Sequence, residues 1–559
     1  MKILIEGEKY NLSSLSQVFD DPKFYIQEGI YGTINCVGYY HSFIKNELVY
    51  ILPKVFIKDK KAFGISPQEL FDLDLKDSFK HDANYSWIRQ LLIYFYNSLA
   101  EFRSRYRNTI IVDSSQSFEL NSNLGLKEYS YLDLVLSFVN FYKKNKSTIL
   151  YHHIEYISNQ AKKAKWEKTI RKSLPILSSK GIPIYIDIRN KQKKVNDEEE
   201  LLCYFFSILN HLKKEHDLPF VIDKSYKLID GIQFEKLQRT GLSKLRKIKH
   251  RYFADSLKRM YQLCELYFSK TDLSSPKRKN EEFISVRNYN IVFEDMIDKL
   301  FTDKKYEDQV KGVSIEKLKH NNDGKIIDHI FEFKSLIDTE NIFYIGDSKY
   351  YKSNREADRL SIYKQFTYAK NVIQFNIDLL NNNKRYQNIR YRDELTEGYN
   401  ISPNFFIYGH LVDQYNFDEA YLKNDKSVKE SFHFKERIFD RDTLFVLQYS
   451  INFLFVLKSY TDNNPSKVKK FRSDTKEIFR NQFLDHFNNA DKCRFTFYQK
   501  DFETGELNRF VETNFRLING KAITINNSKL LIGLHKEDKN INEMQDLLTT
   551  NKFLSRAFE

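Results

Sequence analysis

The chain has 559 residues, long enough for about three or four domains with a core each, and its 41% hydrophobic content excludes a disordered protein. Its net charge of +14 favours a polyanionic partner such as DNA, because a basic field concentrates phosphate backbones near the protein. Four scattered cysteines without a Cys-x-x-Cys pair exclude a zinc finger and a disulfide framework, and the lack of a signal peptide or membrane-length apolar run predicts a cytoplasmic protein without membrane contact.

Residues 1–125 are predicted to form a β-rich module that contacts a partner or reads a target. Short apolar or alternating runs lie at 2–12, 31–44 and 47–57, and Gly, Asn and charged residues separate them. A helix rich in aromatic residues follows, with the sequence SWIRQLLIYFYNSLAEF. The pattern is typical of a small barrel or sheet that is followed by a helix.

Residues 126–280 are predicted to be mostly helical, because several long segments carry apolar residues at every third or fourth position. The segment 243–268 is also strongly basic. It is a candidate surface for a DNA backbone or a partner, and the alternative is a solvated helix face, the commoner meaning of such a charge run. The polar stretch SSPKRKNEE at 274–282 predicts a linker.

A helix is predicted after this linker, in SVRNYNIVFEDMIDKLF. Its apolar residues fall on one face at helical spacing. Glu294 lies at the border of that face, so this acid can lean over a neighbouring sheet. Asp295, Asp298 and Lys299 are predicted to face solvent.

Two apolar strands, IIDHIFEF and NIFYIGDSK, are predicted to form a hairpin. A turn centred on Ile337 and Asp338 places Asp328 directly opposite Asp347, and Lys349 falls on the same face. Opposed residues have Cβ atoms roughly 4.5–5.5 Å apart, where two carboxylates repel unless a cation lies between them. The hairpin therefore predicts a divalent metal with oxygen ligands and Lys349 beside the reacting group. The alternative is a pair of strand-end acids that face water.

The downstream sequence predicts a helix in READRLSIYKQFTYAKNVI, with Gln365 and Tyr368 on a shared edge, and a further strand of the same sheet at 404–412. Residues 416–559 predict mixed helices and hairpins, with turns at Gly505 and at Asn519-Gly520. The apolar run LFVLQYSINFLFVLKSY at 444–460 is predicted to be a buried helix.

The order of these elements resembles the PD-(D/E)xK nuclease superfamily, and in sequence detail the restriction nucleases of the McrC and LlaJI type. The stretches that carry the resemblance are VFEDMIDKLF, IIDHIFEF, YIGDSKYYK and YKQFTYAK. Two departures are that no proline precedes Asp328 and that the helix reads Gln-x-x-Tyr instead of Gln-x-x-x-Tyr. The resemblance implies an α/β fold class, as an α+β multidomain chain. A PD-(D/E)xK restriction-endonuclease-like core at 281–415 would then lie between the helical region and an α+β extension at 416–559.

The resemblance also implies an activity, that of a metal-dependent DNA endonuclease in a restriction or phage-defence system. Its site residues are then Glu294, Asp328, Asp347, Lys349 and Gln365, and the three acids hold Mg²⁺ or, in its place, Mn²⁺. An McrB-like AAA+ GTPase or ATPase is the implied activating subunit, since the 559 residues contain no P-loop, and the assembly is a dimer or a larger hetero-oligomer. Two alternatives remain open, a non-catalytic DNA-binding or scaffold subunit and a nuclease for RNA or branched DNA.

Overall fold

A computed structural model describes most of the chain as a mixed α/β protein with several sheets. The described residues are 1–45, 47–73, 86–105, 112–115, 118–122, 125–129, 131–149, 151–195, 200–216, 220–222, 227–271, 281–302, 318, 327–338, 340–350, 355–382, 389–413, 415–424, 428–462, 465–503 and 505–558. Within these ranges, no helix combines the length and the apolar character that a membrane span requires.

An amino-terminal sheet forms from the predicted β-rich residues together with strand Glu281–Val286, which the sequence assigned to the core at 281–415. Its strand order is Lys2–Ile5, Glu47–Leu52, Val37–Ser42, Glu281–Val286 and Val112–Ser115. Both faces are covered, because Tyr39 packs on Tyr96 of helix Ser86–Arg105 and Tyr40 packs into a second apolar cluster with Phe24. Smaller elements complete this part: strands Lys9–Asn11, Tyr25–Glu28, Tyr31–Ile34, Ile57–Lys58 and Lys61–Ala62, helices Leu12–Val18 and Pro67–Asp72, and 3-10 turns Pro22–Phe24 and Lys54–Phe56.

The middle region is helical, as predicted, and it also contains strands that the sequence did not reveal. Its helices are Tyr131–Ile149, Trp166–Lys172, Glu200–His216, Gly231–Ile248 and Asp255–Thr271, with a 3-10 turn at Lys249–Arg251. Its strand pairs are Phe118–Ser122 with Gly125–Tyr129, Tyr151–Ser158 with Ile188–Val195, and Ile176–Leu177 with Pro183–Ile184. Aromatic contacts such as Phe138 on Phe205, with ring centroids 5.1 Å apart, join the long helices.

The central sheet contains the predicted hairpin. Its strand order is His329–Lys334, Asn341–Lys349, Pro403–His410, Leu444–Asn452 and Lys423–Asn424, and Lys429–Ser431 pairs with the fourth strand. The first pair is antiparallel and the next two pairs are parallel. Strand Pro403–His410 confirms the strand that the sequence predicts there. The surrounding helices are Tyr289–Phe301, Arg355–Asn381, Phe453–Thr461 and Pro465–Asn488.

The prediction of one buried helix at 444–460 is wrong. The run is a strand, Leu444–Asn452, that turns directly into the helix Phe453–Thr461, and the Asn452 side chain caps that helix by accepting a hydrogen bond from the Leu454 N–H. A parallel strand that is buried on both faces is apolar at almost every position, so its sequence does not alternate and resembles a buried helix.

The carboxy-terminal sheet has strands Ala522–Ile525, Lys529–His535, Phe495–Asp501 and Leu554–Ser555, and helices Glu506–Ile518 and Ile541–Thr550 pack beside it. The predicted hairpin turns at Gly505 and Asn519-Gly520 are wrong, because each of them adjoins the helix Glu506–Ile518. The hairpin turn is instead at Asn526 and Asn527, with φ angles of 51° and 55°. Asparagine tolerates this left-handed conformation better than most residues with a Cβ atom.

Candidate metal centre

The hairpin pairs in the register that the sequence predicts. Lys334 pairs with Asn341 beside the turn, and His329 pairs with Gly346 at the open end. Asp328 directly precedes the first strand, so the same register places it opposite Asp347. Side chains alternate along a strand, and Lys349 therefore shares the face of Asp347.

Three carboxylates meet at this open end. Glu294, Asp328 and Asp347 each contribute one carboxylate oxygen to a group in which all three oxygens lie within 4.8 Å of one another. Glu294 comes from helix Tyr289–Phe301, whose apolar residues Phe293 and Ile297 are fully buried. The helix therefore holds Glu294 over the sheet edge, where its border position predicted it to lie.

Lys349 lies beside the carboxylates, with its Nζ atom 2.8 Å from Oδ1 of Asp347. Burial acts to lower the pKa of the Lys349 ammonium, but the attraction of Asp347, Asp328 and Glu294 outweighs burial and the pKa is raised. Lys349 is thus held in its charged form next to Asp347, which is only 2% exposed.

One ammonium does not balance three acids. Burial raises the pKa of Asp328 well above its ordinary value, and repulsion from Asp347 and Glu294 raises it further against the opposing effect of Lys349. Burial likewise raises the pKa of Glu294, although Lys349 and a hydrogen bond from Asn290, at 3.3 Å, oppose the shift. The centre is therefore short of positive charge, and a hard divalent cation with oxygen ligands would supply it.

Gln365 is a buried polar residue on the helix that follows this hairpin in the sequence. It is 0% exposed, and neither its amide nitrogen nor its amide oxygen has a hydrogen-bond partner among the described residues. It lies on helix Arg355–Asn381, which packs on strand Asn341–Lys349. One turn along the helix, burial and the nearby charges of Asp328 and Asp347 raise the pKa of Tyr368 to about 12, so this edge of the helix faces the acids.

The sequence did not predict the supports behind the cluster. His329 is fully buried, and its Nε2 atom lies 2.8 Å from Oγ of Ser348, which joins the two strands on the face opposite the acids. The Tyr350 hydroxyl donates to the Glu6 carboxylate, with distances of 2.8 and 3.0 Å to its oxygens, so the amino-terminal sheet contacts the residue after Lys349. Alternation along the hairpin could have predicted that His329 and Ser348 share a face. The contact of Tyr350 with Glu6 spans 344 positions, and no local pattern in the sequence predicts it.

The predicted solvent exposure of the polar side of helix Tyr289–Phe301 is wrong. The Asp295 side chain is 11% exposed and forms an ion pair with Arg105, with the closest atoms 2.6 Å apart, while Lys299 donates to the backbone oxygen of Tyr460 at 2.7 Å. Asp298 is partly buried, with Oδ1 3.6 Å from Nδ1 of His329. Neighbouring helices cover this side through polar contacts, which hydrophobic periodicity does not reveal.

Comparisons with known proteins give little further information. No protein-family model matches the chain, and no curated protein matches it. Among solved structures, the chain is similar to one in the refined half-complex from a tetradecameric assembly of Thermococcus gammatolerans McrB AAA+ hexamers with bound McrC. This likeness covers 85% of this chain and 99% of that chain, with 12% sequence identity and a TM-score of 0.28. So distant a likeness assigns neither a fold family nor a function.

Proposed function

We propose that the chain is a Mg²⁺-dependent endonuclease with a PD-(D/E)xK-type core that hydrolyses phosphodiester bonds in DNA. One observation carries the proposal, the meeting of Glu294, Asp328 and Asp347 within 4.8 Å beside the Lys349 ammonium. Three acids and a lysine at a sheet edge combine the ligands for a hard cation with a permanent positive charge for a phosphate.

The residues fit the cation that the proposal needs. Asp328, Asp347 and Glu294 offer carboxylate oxygens, the ligands that Mg²⁺ and Mn²⁺ prefer, and their mutual repulsion would be relieved by a divalent ion. Gln365 supports the same fit, because its buried amide has hydrogen-bonding capacity that the described residues leave unused. When bound, the ion would supply Lewis acidity toward a phosphate oxygen and toward the attacking water.

The roles of the protein groups follow from their charges. Lys349 would donate a hydrogen bond to a non-bridging phosphate oxygen and neutralise the charge that grows on it during attack. Glu294, whose carboxyl pKa is raised by burial, would orient the water or take its proton. The Gln365 amide would hold the phosphate or the water in line, and Tyr368 would remain a neutral hydroxyl.

DNA is the proposed substrate, in a restriction or phage-defence system. The net charge of +14 supports a nucleic acid, and the stretches that resemble McrC-type and LlaJI-type nucleases support DNA. An McrB-like AAA+ GTPase or ATPase is the proposed activating partner, and this part rests on the sequence resemblance alone. We expect the isolated chain to nick DNA weakly, and to produce double-strand breaks when an AAA+ protein from a neighbouring gene is added with GTP or ATP.

The test is cleavage of supercoiled plasmid DNA with Mg²⁺, by the chain alone and with that AAA+ protein. Asp347→Asn and Lys349→Ala should each lower the rate by roughly 10²–10³ or more, the usual effect of removing one transition-state interaction. Lys334→Ala is the matched control, since Lys334 is an exposed lysine at the other end of the same hairpin. Cleavage within a few-fold of wild type in both site variants would overturn the assignment, and cleavage of RNA alone would redirect the substrate.

A further inference from the structure

A second candidate site lies in the helical region. A cavity of about 850 Å³ opens where helix Gly231–Ile248 and helix Asp255–Thr271 pack together at the turn between them. Ligand pockets commonly measure about 300–1,000 Å³, so this cavity can hold a group the size of a nucleotide. No residue of the metal centre lines it.

The wall of the cavity is cationic. Arg246, Lys249 and Lys258 line it with exposed side chains, and Glu265 is the acid on the same wall. Lys258 has Asp255 at 3.9 Å, whereas Arg246 and Lys249 form no ion pair with any described residue. Two permanent charges are thus free to meet an anion from solution.

A buried hydroxyl faces this cationic wall. Tyr261 lines the cavity, is 5% exposed, and has no hydrogen-bond partner for its hydroxyl in the described part of the chain. Burial, and then the nearby Glu265, raise its pKa to about 12, and Arg246 is close enough to act against that shift. The hydroxyl therefore stays protonated, and a buried donor without a partner favours a ligand that brings an acceptor.

The mouth of the cavity carries an exposed aromatic ring. Phe253 lies in the turn between the two helices and is 80% exposed, while its neighbour Tyr252 is buried. An exposed phenylalanine ring next to cations can stack on a nucleobase, because every nucleobase has a flat face that an aromatic ring can cover. In a duplex those faces are already stacked.

We propose that this cavity binds an unpaired nucleotide of a single-stranded nucleic acid. Arg246 and Lys249 contact the phosphate, Phe253 stacks on the base, and the Tyr261 hydroxyl donates to an acceptor of the bound nucleotide. The basic segment 243–268 is then a nucleic-acid surface and not merely a solvated helix face. The site does not depend on the proposed cleavage activity, because it shares no residue with the metal centre.

The experiment measures binding of the full chain to short fluorescein-labelled oligothymidylate and oligouridylate by fluorescence anisotropy, with EDTA to prevent cleavage. We expect Phe253→Ala to weaken binding roughly tenfold, as the loss of one stacked base does. The pair Arg246→Gln/Lys249→Gln should reduce the slope of log affinity against log salt by roughly 0.7 for each phosphate that the variant no longer neutralises. Comparison of the two oligonucleotides distinguishes DNA from RNA as the source of the strand.

Tyr261→Phe separates a binding role from a structural one. It removes a hydroxyl without a partner and keeps the ring, so we expect weaker binding with an unchanged or higher melting temperature. The matched control is Lys236→Gln/Arg239→Gln, which removes two exposed charges of the same helix outside the cavity. Equally weakened binding in the control pair and the cavity pair would overturn the proposal. Unchanged binding by Phe253→Ala would also overturn it, because the base would then not stack on this ring. Tighter binding to duplex than to single strands would overturn it as well, and would indicate that the cationic face contacts a duplex backbone.

Discussion

Replacing Asp328 by asparagine should stabilise the metal-free chain and abolish its response to Mg²⁺. Carboxylate oxygens of Glu294, Asp328 and Asp347 lie within 4.8 Å of one another, and two unit charges at that distance repel by about 3.5 kcal/mol at an effective dielectric constant of about 20. Asp328→Asn keeps the side-chain shape and removes two of the three repulsive pairs. The attraction of Asp328 to Lys349 offsets much of this repulsion, so we expect a net gain on the order of 1 kcal/mol.

Mg²⁺ should reverse the order of stability. An ion at a hundredfold excess over its dissociation constant stabilises the folded wild type by about 2.7 kcal/mol, whereas the variant lacks one ligand and should gain far less. Thermal melting with EDTA and with increasing Mg²⁺ measures both effects. Asp338→Asn is the matched control, because Asp338 is a half-buried acid of the same hairpin that lies near Arg390 and outside the cluster. An equal Mg²⁺ shift in wild type and Asp328→Asn would refute a metal centre at these acids.

Three further predictions test the surroundings of the site. Gly346→Ala should destabilise the chain by about 1–3 kcal/mol and lower cleavage, because a Cβ atom there would lie 2.0 Å from Cε2 of Phe405; denaturation and plasmid cleavage measure this. Gln365→Met should raise the stability of the metal-free chain by about 1–3 kcal/mol in denaturation, because it removes buried amide atoms that have no hydrogen-bond partner among the described residues. It should still reduce plasmid cleavage, because the amide proposed to hold the phosphate or the water is lost. Burial raises the pKa of Glu6, so the folded chain keeps this proton longer than the unfolded chain and loses stability as pH rises through that raised pKa; in Glu6→Gln this part of the decline should disappear from a denaturation series against pH.

The hairpin was predictable because the information that specifies it is local. Alternation along the two strands and the position of the polar turn determine the register, and the register alone brings Asp328 opposite Asp347. The place of Glu294 was predictable for a similar reason, since helical spacing marks it as the acid nearest the buried face. A period of two residues in a strand or 3.6 residues in a helix indicates which face a side chain occupies. That information was sufficient to predict the positions of Asp328, Asp347 and Glu294.

The features that escaped prediction depend on what covers a face. Gln365 is fully buried on a helix edge that sequence alone would assign to the surface, because the helical pattern of its neighbours does not show that this edge is covered. The predicted linker at 274–282 shows the same limit. Residues 274–280 lie outside the described residues, but Glu281 and Glu282 belong to a strand of the amino-terminal sheet. Glu282 is 0% exposed, and its buried carboxylate is satisfied by hydrogen bonds from the Tyr39 hydroxyl and the Tyr131 N–H.

That strand has a consequence for the organisation of the site. It ends at Val286, only a few residues before the helix that carries Glu294, and it pairs with Val37–Ser42 on one side and Val112–Ser115 on the other. A cut at the predicted boundary of 281 would therefore separate three paired strands and leave the Glu294 helix attached to a lone one. Because Tyr350 also donates to Glu6, the amino-terminal sheet is joined to both elements that carry the acids, to the Glu294 helix through the chain and to the hairpin through this hydrogen bond. A polar stretch of sequence predicts a linker between domains. Here the chain after that stretch, from Glu281 onward, adds another strand to the amino-terminal sheet.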